Sequence, residues 1–333
     1  MGNCINIQFP TELFVPEPQT AFIAFRKPHT RFRNAVPSPK IRSGMEVTMK
    51  TGIVFEGGAL RTIFSCGVMD AFLEHDIMPD YMIGVSAGAA YGVSYASRQP
   101  KRNYEIVTKY CNDRRYMGAG NLINPGNRSY YGLKFAYDTI PNELIPFDYE
   151  TFNSYPGDFI AVVTNVLTGK AEYMPIDTSD RKNTLLQATC ALPLLFPFIY
   201  INGTPYLDGG LSDSIPFMKA FEDGCDRVVV VLTREKGYQK HTGHSTRAVA
   251  RAFLKYPELA RDLMKRAKRY NKSLELLAKY EQEGRVLVIR PDSTKGFSRL
   301  ERNLEKIENL YHDGYQKGIA IANDVKAFYS GSN

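Results

Sequence analysis

A chain of 333 residues and 37.6 kDa, 44% hydrophobic and 23% charged, is long enough to bury a sizeable core as one large domain or as a domain with an appendage. No apolar run approaches the roughly 20 residues of a membrane-crossing helix; the longest candidate, Ala191 to Ile201, is broken by Pro193 and Pro197. The formal charge of +7 is uneven: Arg234 to Lys279 holds thirteen Lys/Arg against four Asp/Glu, residues 1–45 hold six against two, and the rest is acidic. Such a basic segment suits an anionic lipid surface, or nucleic acid, or a plain solvated face. Five scattered cysteines (Cys4, Cys66, Cys111, Cys190, Cys225) without a C-x-x-C pair fit neither a disulfide framework nor a zinc site, and point to reduced thiols in the cytoplasm. Cys66 and Cys190, among apolar neighbours, read as core filler.

Residues 1–48 read as an N-terminal extension, either disordered or an upstream start before a fold that opens at Met45 or Met49. Pro10, Pro16, Pro18, Pro28, Pro37 and Pro39 punctuate the segment, and no charged n-region leads into an apolar h-region as in a secretory signal. Its first residues open like a myristoylation site, with Asn6 where Ser or Thr is wanted, and the acid-poor stretch Phe22 to Arg42 has a weak transit-peptide character. From residue 49 the chain becomes regular. Gly52 to Phe55 predicts a buried strand. Glu56-Gly57-Gly58 breaks it, and Leu60, Ile63, Phe64, Val68, Ala71 and Phe72 make a helical stripe. Tyr81 to Val85 predicts a second strand, and Ala87 onward is helix-permissive. This β-α-β-α rhythm belongs to an α/β fold, a central mostly parallel sheet flanked by helices.

Residues 114–157, rich in Gly, Pro, Asn and Tyr, predict an irregular insertion. Its Tyr116, Tyr130, Tyr131, Phe135 and Tyr137 either cap a pocket or complete the core. Phe159 to Thr164 and Ala171 to Met174 predict a hairpin, and Val228 to Leu232 a central strand buried on both faces. A basic, mainly helical C-terminal region over 235–333 follows the body at 49–234. In it Leu259, Leu263, Ala267, Tyr270, Leu274 and Leu277 form one apolar face, before a strand at Val286 to Ile289 and a last helix from about Leu300 to Tyr329.

Gly84-Val85-Ser86-Ala87-Gly88 is a G-x-S-x-G sequence. It suits a serine on a tight strand-to-helix turn, where small neighbours permit the bend and the helix start turns N–H groups and its positive dipole end toward a reacting carbonyl. Glu56-Gly57-Gly58-Ala59-Leu60-Arg61 follows the first strand, and its glycines let backbone N–H groups aim at an anion. Neither G-x-x-x-x-G-K-[ST] nor G-x-G-x-x-G is present. Asp208-Gly209-Gly210 is an Asx-turn by itself and a general-base candidate once Ser86 is considered.

Together these elements, with Ala191-Leu192-Pro193-Leu194-Leu195-Phe196-Pro197 before Asp208-Gly209-Gly210, resemble the patatin-like phospholipases. Gly57 precedes Ser86 by 29 residues and Asp208 follows it by 122; the resemblance covers about residues 50–234, and the basic C-terminal region is similar to that of a bacterial subgroup. The resemblance implies a serine lipid acyl hydrolase with a Ser86–Asp208 dyad and an acyl-enzyme intermediate. It implies an oxyanion hole of N–H groups at Gly57, Gly58 and Ala59, aided by Ala87, and motif support from Arg61, Gly84, Gly88, Gly209 and Gly210. No cofactor or metal is implied. The expected partners are a lipid or ester substrate and peripheral contact with an anionic membrane; no nucleic acid is expected.

Two departures stand out. The family loop reads G-G-G-x-[KR]-G, whereas Ala59 and Thr62 replace its third and last glycines. Ala59 is harmless at negative φ and costly at positive φ. Arg61 reads equally as the motif cation or as a surface residue. The rival readings are a conventional Ser86–Asp208–His triad through His241 or His244, and a catalytically weak protein that docks on membranes. Both histidines lie in a polar stretch with little to position them.

Overall fold

The computed structural model describes residues 49–331, so the readings made for residues 1–48 lie outside the described residues. In chain order the elements are β1 (Thr51–Phe55), α1 (Ile63–Glu74), β2 (Tyr81–Val85), α2 (Ala87–Ala96), α3 (Arg102–Tyr110), α4 (Ala119–Ile123), α5 (Tyr149–Asn153), β3 (Asp158–Asn165), β4 (Ala171–Pro175), α6 (Thr184–Cys190), β5 (Ile199–Ile201), β6 (Thr204–Asp208), α7 (Phe217–Glu222), β7 (Arg227–Val231), α8 (His244–Ala252), α9 (Pro257–Gln282), β8 (Val286–Ile289) and α10 (Leu304–Ser330). Residues 49–331 fall within one compact unit. Among the described residues no helix is long and apolar enough to cross a membrane.

The hydrogen-bonded strand order is β5-β6-β3-β2-β1-β7-β8, with β4 also on β3. The pairs β1–β2, β1–β7, β2–β3 and β7–β8 are parallel, while β4, β5 and β6 run antiparallel to their neighbours. β1, β2 and β7 are buried almost throughout, as strands covered by helices on both faces must be. β7, predicted as central, lies one strand from the edge but has β1 and β8 on either side, so its aliphatic run is still enclosed.

The register along β3 decides where the chemistry lies. β4 pairs with Ile160 to Thr164, β2 with Asp158 to Val162, and β6 with Val163 to Asn165. A strand has two edges only, so β4 occupies one edge, and β2 and β6 abut end to end along the other. The C-terminal end of β2, at Val85 opposite Val162, therefore meets the C-terminal end of β6, at Asp208 opposite Val163. Ser86 and Asp208, far apart in sequence, come face to face.

The first helical stripe proves buried all round. Every residue of α1 from Ile63 to Phe72 is buried, because α10 covers the side that faces away from the sheet. The two helices touch through glycines: a Cβ on Gly314 would lie 1.9 Å from the Phe64 carbonyl oxygen, and one on Gly67 2.1 Å from that of Tyr311. Tyr311 also donates to buried Asp70 at 2.7 Å, and burial holds that carboxyl up at about 6. The insertion predicted as irregular contains α4, α5 and a π-helical stretch at Phe135–Leu144 that includes Pro141. A π-turn accommodates the proline's missing N–H inside an otherwise helical path.

Candidate active site

Ser86 sits at the tip of the β2–α2 turn with φ 55 and ψ −130, a conformation a β-carbon disfavours and one that lifts the side chain out of the turn. Small neighbours make the bend feasible: a Cβ on Gly84 would meet the Ala89 backbone at 2.5 Å, and one on Gly88 the Phe55 carbonyl oxygen at 2.3 Å. The turn is tied down by Thr189 of α6. Its hydroxyl accepts from the Ser86 N–H at 2.9 Å and donates to the Val162 carbonyl at 2.6 Å. Thr189 is fully buried and was not recognised in the sequence; the apolar stretch after it drew attention, while a lone threonine at a helix end carries no motif.

The Ser86 hydroxyl donates to Asp208 Oδ2 at 2.6 Å. The other carboxylate oxygen, Oδ1, accepts from the Gly210 N–H at 2.7 Å, which fixes the rotamer. Thr164 donates to the Asp208 carbonyl at 2.8 Å, and Asp208 N–H donates to the Ala191 carbonyl at 2.9 Å. Gly209 packs on Val162, where a Cβ would lie 2.1 Å from its carbonyl oxygen. Asp208 is only 2% exposed. Burial raises its carboxyl above the usual carboxylate range, against the pull of the Ser86 hydroxyl, Arg266 and the Gly210 N–H. A buried carboxylate with a raised pKa and a serine hydroxyl aimed at it is suited to take a proton.

The glycine loop after β1 passes directly over this pair. A Cβ on Gly57 would fall 2.7 Å from the Ser86 Cβ, and one on Gly58 2.8 Å from the Thr233 hydroxyl. The N–H groups of Gly57, Gly58 and Ala59 donate to no group among the described residues. Ala59 has φ 51, so of the two outcomes for this position the structure has the costly one. Thr62 lies in the short 3-10 turn Ala59–Thr62, buried ahead of α1. Arg61 is no surface residue: it is 6% exposed, and its guanidinium is pulled down to about 10 by burial and by Arg234 and Arg299.

Two hollows meet at Ser86. A cleft, mostly apolar, runs past Tyr91, Ile106, Tyr116, Tyr131, Tyr137 and Phe196. Three of the five aromatics singled out in the insertion thus line it. Phe135 instead packs edge-on against Tyr110, and the Tyr130 N–H donates to the Leu195 carbonyl. Cys190 packs against the core as expected and also lines this cleft beside Ser86, and burial pushes its thiol up to about 12, which keeps it protonated and unreactive. The second hollow is polar and includes Glu56, Arg61, Asp208, Lys240, Arg266 and Tyr270.

Glu56 anchors that polar side. It accepts from Thr233 N–H at 2.7 Å and from Tyr270 OH at 2.9 Å, joining the ends of β1 and β7 to α9. Arg266 donates to the Gly210 carbonyl at 2.6 Å. None of these contacts has a sequence signature, because each joins segments far apart in the chain. His241 and His244 are both exposed and line neither hollow, so no imidazole stands between Ser86 and Asp208. Among the described residues no group of acidic, histidine or cysteine side chains is arranged to hold a metal ion.

Comparison with known proteins matches residues 53–221 to the family model for patatin-like phospholipase, and residues 256–330 to a domain of unknown function, DUF6363. The uncharacterized protein YjjU of Escherichia coli K12 is 26% identical over 190 residues, covering 55% of this chain and 52% of its own. Lysophospholipase NTE1 of the yeast Yarrowia lipolytica is 27% identical over 202 residues, covering 58% of this chain and 13% of its own. The chain thus spans about half the length of the bacterial relative and a small part of the yeast one. Among solved structures, VipD of Legionella pneumophila aligns over 83% of this chain and 67% of its own, with 15% identity and a TM-score of 0.42.

Proposed function

This chain belongs to the patatin-like phospholipase family, and from that premise we propose that it is a serine lipid acyl hydrolase working through Ser86 and Asp208. The observation that carries this reading is the 2.6 Å hydrogen bond from Ser86 to buried Asp208, made where an apolar cleft and a polar hollow meet. An acyl chain lies in the apolar cleft, which brings its ester carbonyl to Ser86. The hydroxyl oxygen adds to the carbonyl carbon while its proton passes to Asp208. The resulting oxyanion is held by N–H groups of the Gly57–Gly58–Ala59 loop and by Ala87 at the start of α2. The tetrahedral adduct expels the alcohol, which takes the proton from Asp208, and leaves an acyl-serine. Water then gives its proton to Asp208 and attacks the same carbon; collapse of this second adduct releases the fatty acid, and Asp208 returns the proton to the Ser86 oxygen.

The dyad is favoured over a triad because Asp208 contacts the nucleophile directly and both candidate histidines are exposed. The similarity to a protein named a lysophospholipase supports a glycerolipid ester as substrate. Peripheral contact with an anionic membrane is part of the reading, supported by exposed Arg247, Arg251, Lys255, Lys265 and Lys268 on α8, α9 and the turn between them.

Ester hydrolysis by the purified protein across acyl chain lengths tests this reading. Ser86→Ala and Asp208→Asn should each lower kcat by about four orders of magnitude or more while thermal melting stays cooperative. Near-normal turnover by Asp208→Asn would overturn the dyad and return the histidines as candidates.

A further inference from the structure

The polar hollow holds more positive charge than the chemistry at Ser86 requires. Four arginines and one lysine line it, Arg61, Arg234, Arg266, Arg299 and Lys240, against two carboxylates, Glu56 and Asp208. Both carboxylates are engaged elsewhere, Glu56 with Thr233 and Tyr270, Asp208 with Ser86 and Gly210. Among the described residues none of the five makes an ion pair with a carboxylate. Arg61 Nε is buried without any hydrogen-bond partner there. The remaining contacts are neutral: Arg266 to the Gly210 carbonyl, Arg234 to the Thr294 hydroxyl at 2.6 Å, and the Lys240 ammonium 3.7 Å from the centre of the Tyr270 ring.

Crowding like charges in a partly buried space is costly unless an anion joins them. The cost is visible at Lys240, whose ammonium is pushed down to about 6 by burial and then by Arg266, with Glu56 opposing. Burial likewise lowers Arg266. The hollow therefore has the charge to hold an anion.

Its position narrows the ligand. The two hollows share Ala59, Ser86 and Leu192 as common wall, so one molecule spanning them would carry an apolar chain on one side of Ser86 and an anion on the other. We propose that the basic hollow binds the phosphate of an acylated glycerol phosphomonoester, and so selects net-anionic headgroups over zwitterionic phosphocholine. The inference rests on the hydrolase reading for the identity of the apolar partner. It also assigns work to the C-terminal region: only Arg61 lies inside the segment matched as patatin-like, Arg234 and Lys240 follow it, and Arg266 and Arg299 belong to the segment matched as a domain of unknown function. A dianionic phosphomonoester can accept charge-assisted, forked hydrogen bonds from several guanidinium groups at once, whereas a choline ammonium adds one more positive charge to the crowd.

Ser86→Ala protein removes turnover, so binding is read alone. Calorimetric titration with a short-chain, monomeric acyl-glycerol phosphomonoester and with its phosphocholine counterpart should show at least about tenfold tighter binding of the phosphomonoester, the scale of one charge-assisted contact. Adding Lys240→Met and Arg299→Gln should bring the two affinities together. Equal affinity in Ser86→Ala protein, or a preference that survives loss of both basic side chains, would overturn the proposal. Inorganic phosphate should compete with the phosphomonoester; phosphate binding without phosphomonoester binding would make this a free-anion site and overturn the headgroup assignment. Wild-type turnover of p-nitrophenyl butyrate, which has no phosphate, tests Ser86 chemistry separately, so failure there leaves the binding comparison decisive.

Discussion

At residue scale, strain gathers around one atom. Ser86 and Ala59 both have φ near +50, and they face each other across the site. For Ser86 the strain lifts the hydroxyl toward Asp208. For Ala59 it follows from a methyl group where the family's loop carries glycine, and left-handed backbone at a residue with a β-carbon costs about 1–2 kcal/mol. Part of that is offset by the extra freedom glycine has when unfolded. Ala59→Gly should therefore stabilise the protein by about 0.5–1 kcal/mol, seen as a higher midpoint in denaturant at unchanged slope. A lower midpoint would mean that the alanine methyl packs well enough to outweigh its backbone. Asp208 gives a second test. A general base acts only when ionised, so kcat/KM must climb with pH through its pKa, and burial has raised that pKa. The acid limb should lie above the range of a free aspartate, about 3.9. A limb at or below that value would mean that Asp208 is not the base, or is not buried during turnover.

At the scale of elements, the site depends on a meeting of strand ends. β2 and β6 abut along one edge of β3, and the β5–β6 hairpin that delivers Asp208 turns through Asn202 and Gly203, both at positive φ. Asn-Gly between two apolar runs is a strong hairpin signal, and it follows directly on the proline-broken stretch Ala191 to Ile201. The packing of α1 on α10 is the other element-scale feature. With the Phe64 carbonyl so near to Gly314, an added methyl meets backbone, which cannot rotate away. Gly314→Ala should destabilise by about 3 kcal/mol, the upper end of overpacking effects, and lower Tm by several degrees. An unchanged Tm would show that the two helices slide apart without loss.

For the whole molecule, charge has two separate uses. The basic excess counted from Arg234 to Lys279 divides between an interior set facing Ser86 (Arg234, Lys240, Arg266) and an exposed set that includes Lys265 and Lys268. In sequence the two are interleaved and cannot be told apart; the turn of α9 directs Arg266 inward and Lys265 and Lys268 outward. Exposed lysines near an anionic bilayer contribute about 1 kcal/mol each and are screened by salt. Ser86→Ala protein should sediment with vesicles rich in anionic lipid at low salt, and Lys265→Glu with Lys268→Glu should weaken that binding by about tenfold or more. Binding that ignores both salt and charge reversal would rule out electrostatic docking.

Most of the local structure was legible from the amino-acid sequence, while the helices within 114–157 were not. The strands Tyr81–Val85 and Val286–Ile289 were legible to the residue because buried strands are short apolar runs between turn formers. The glycine loop and the serine turn were legible as tight turns because sharply bent backbone admits few residue types. Long-range packing alone brings distant groups together around Ser86. The Thr189 brace, the Glu56–Tyr270 tie and the five gathered basic residues join segments far apart in the chain, and no local pattern records them. The sign of φ at Ala59 belongs to the same class, since the loop that sets it is held over Ser86 by packing.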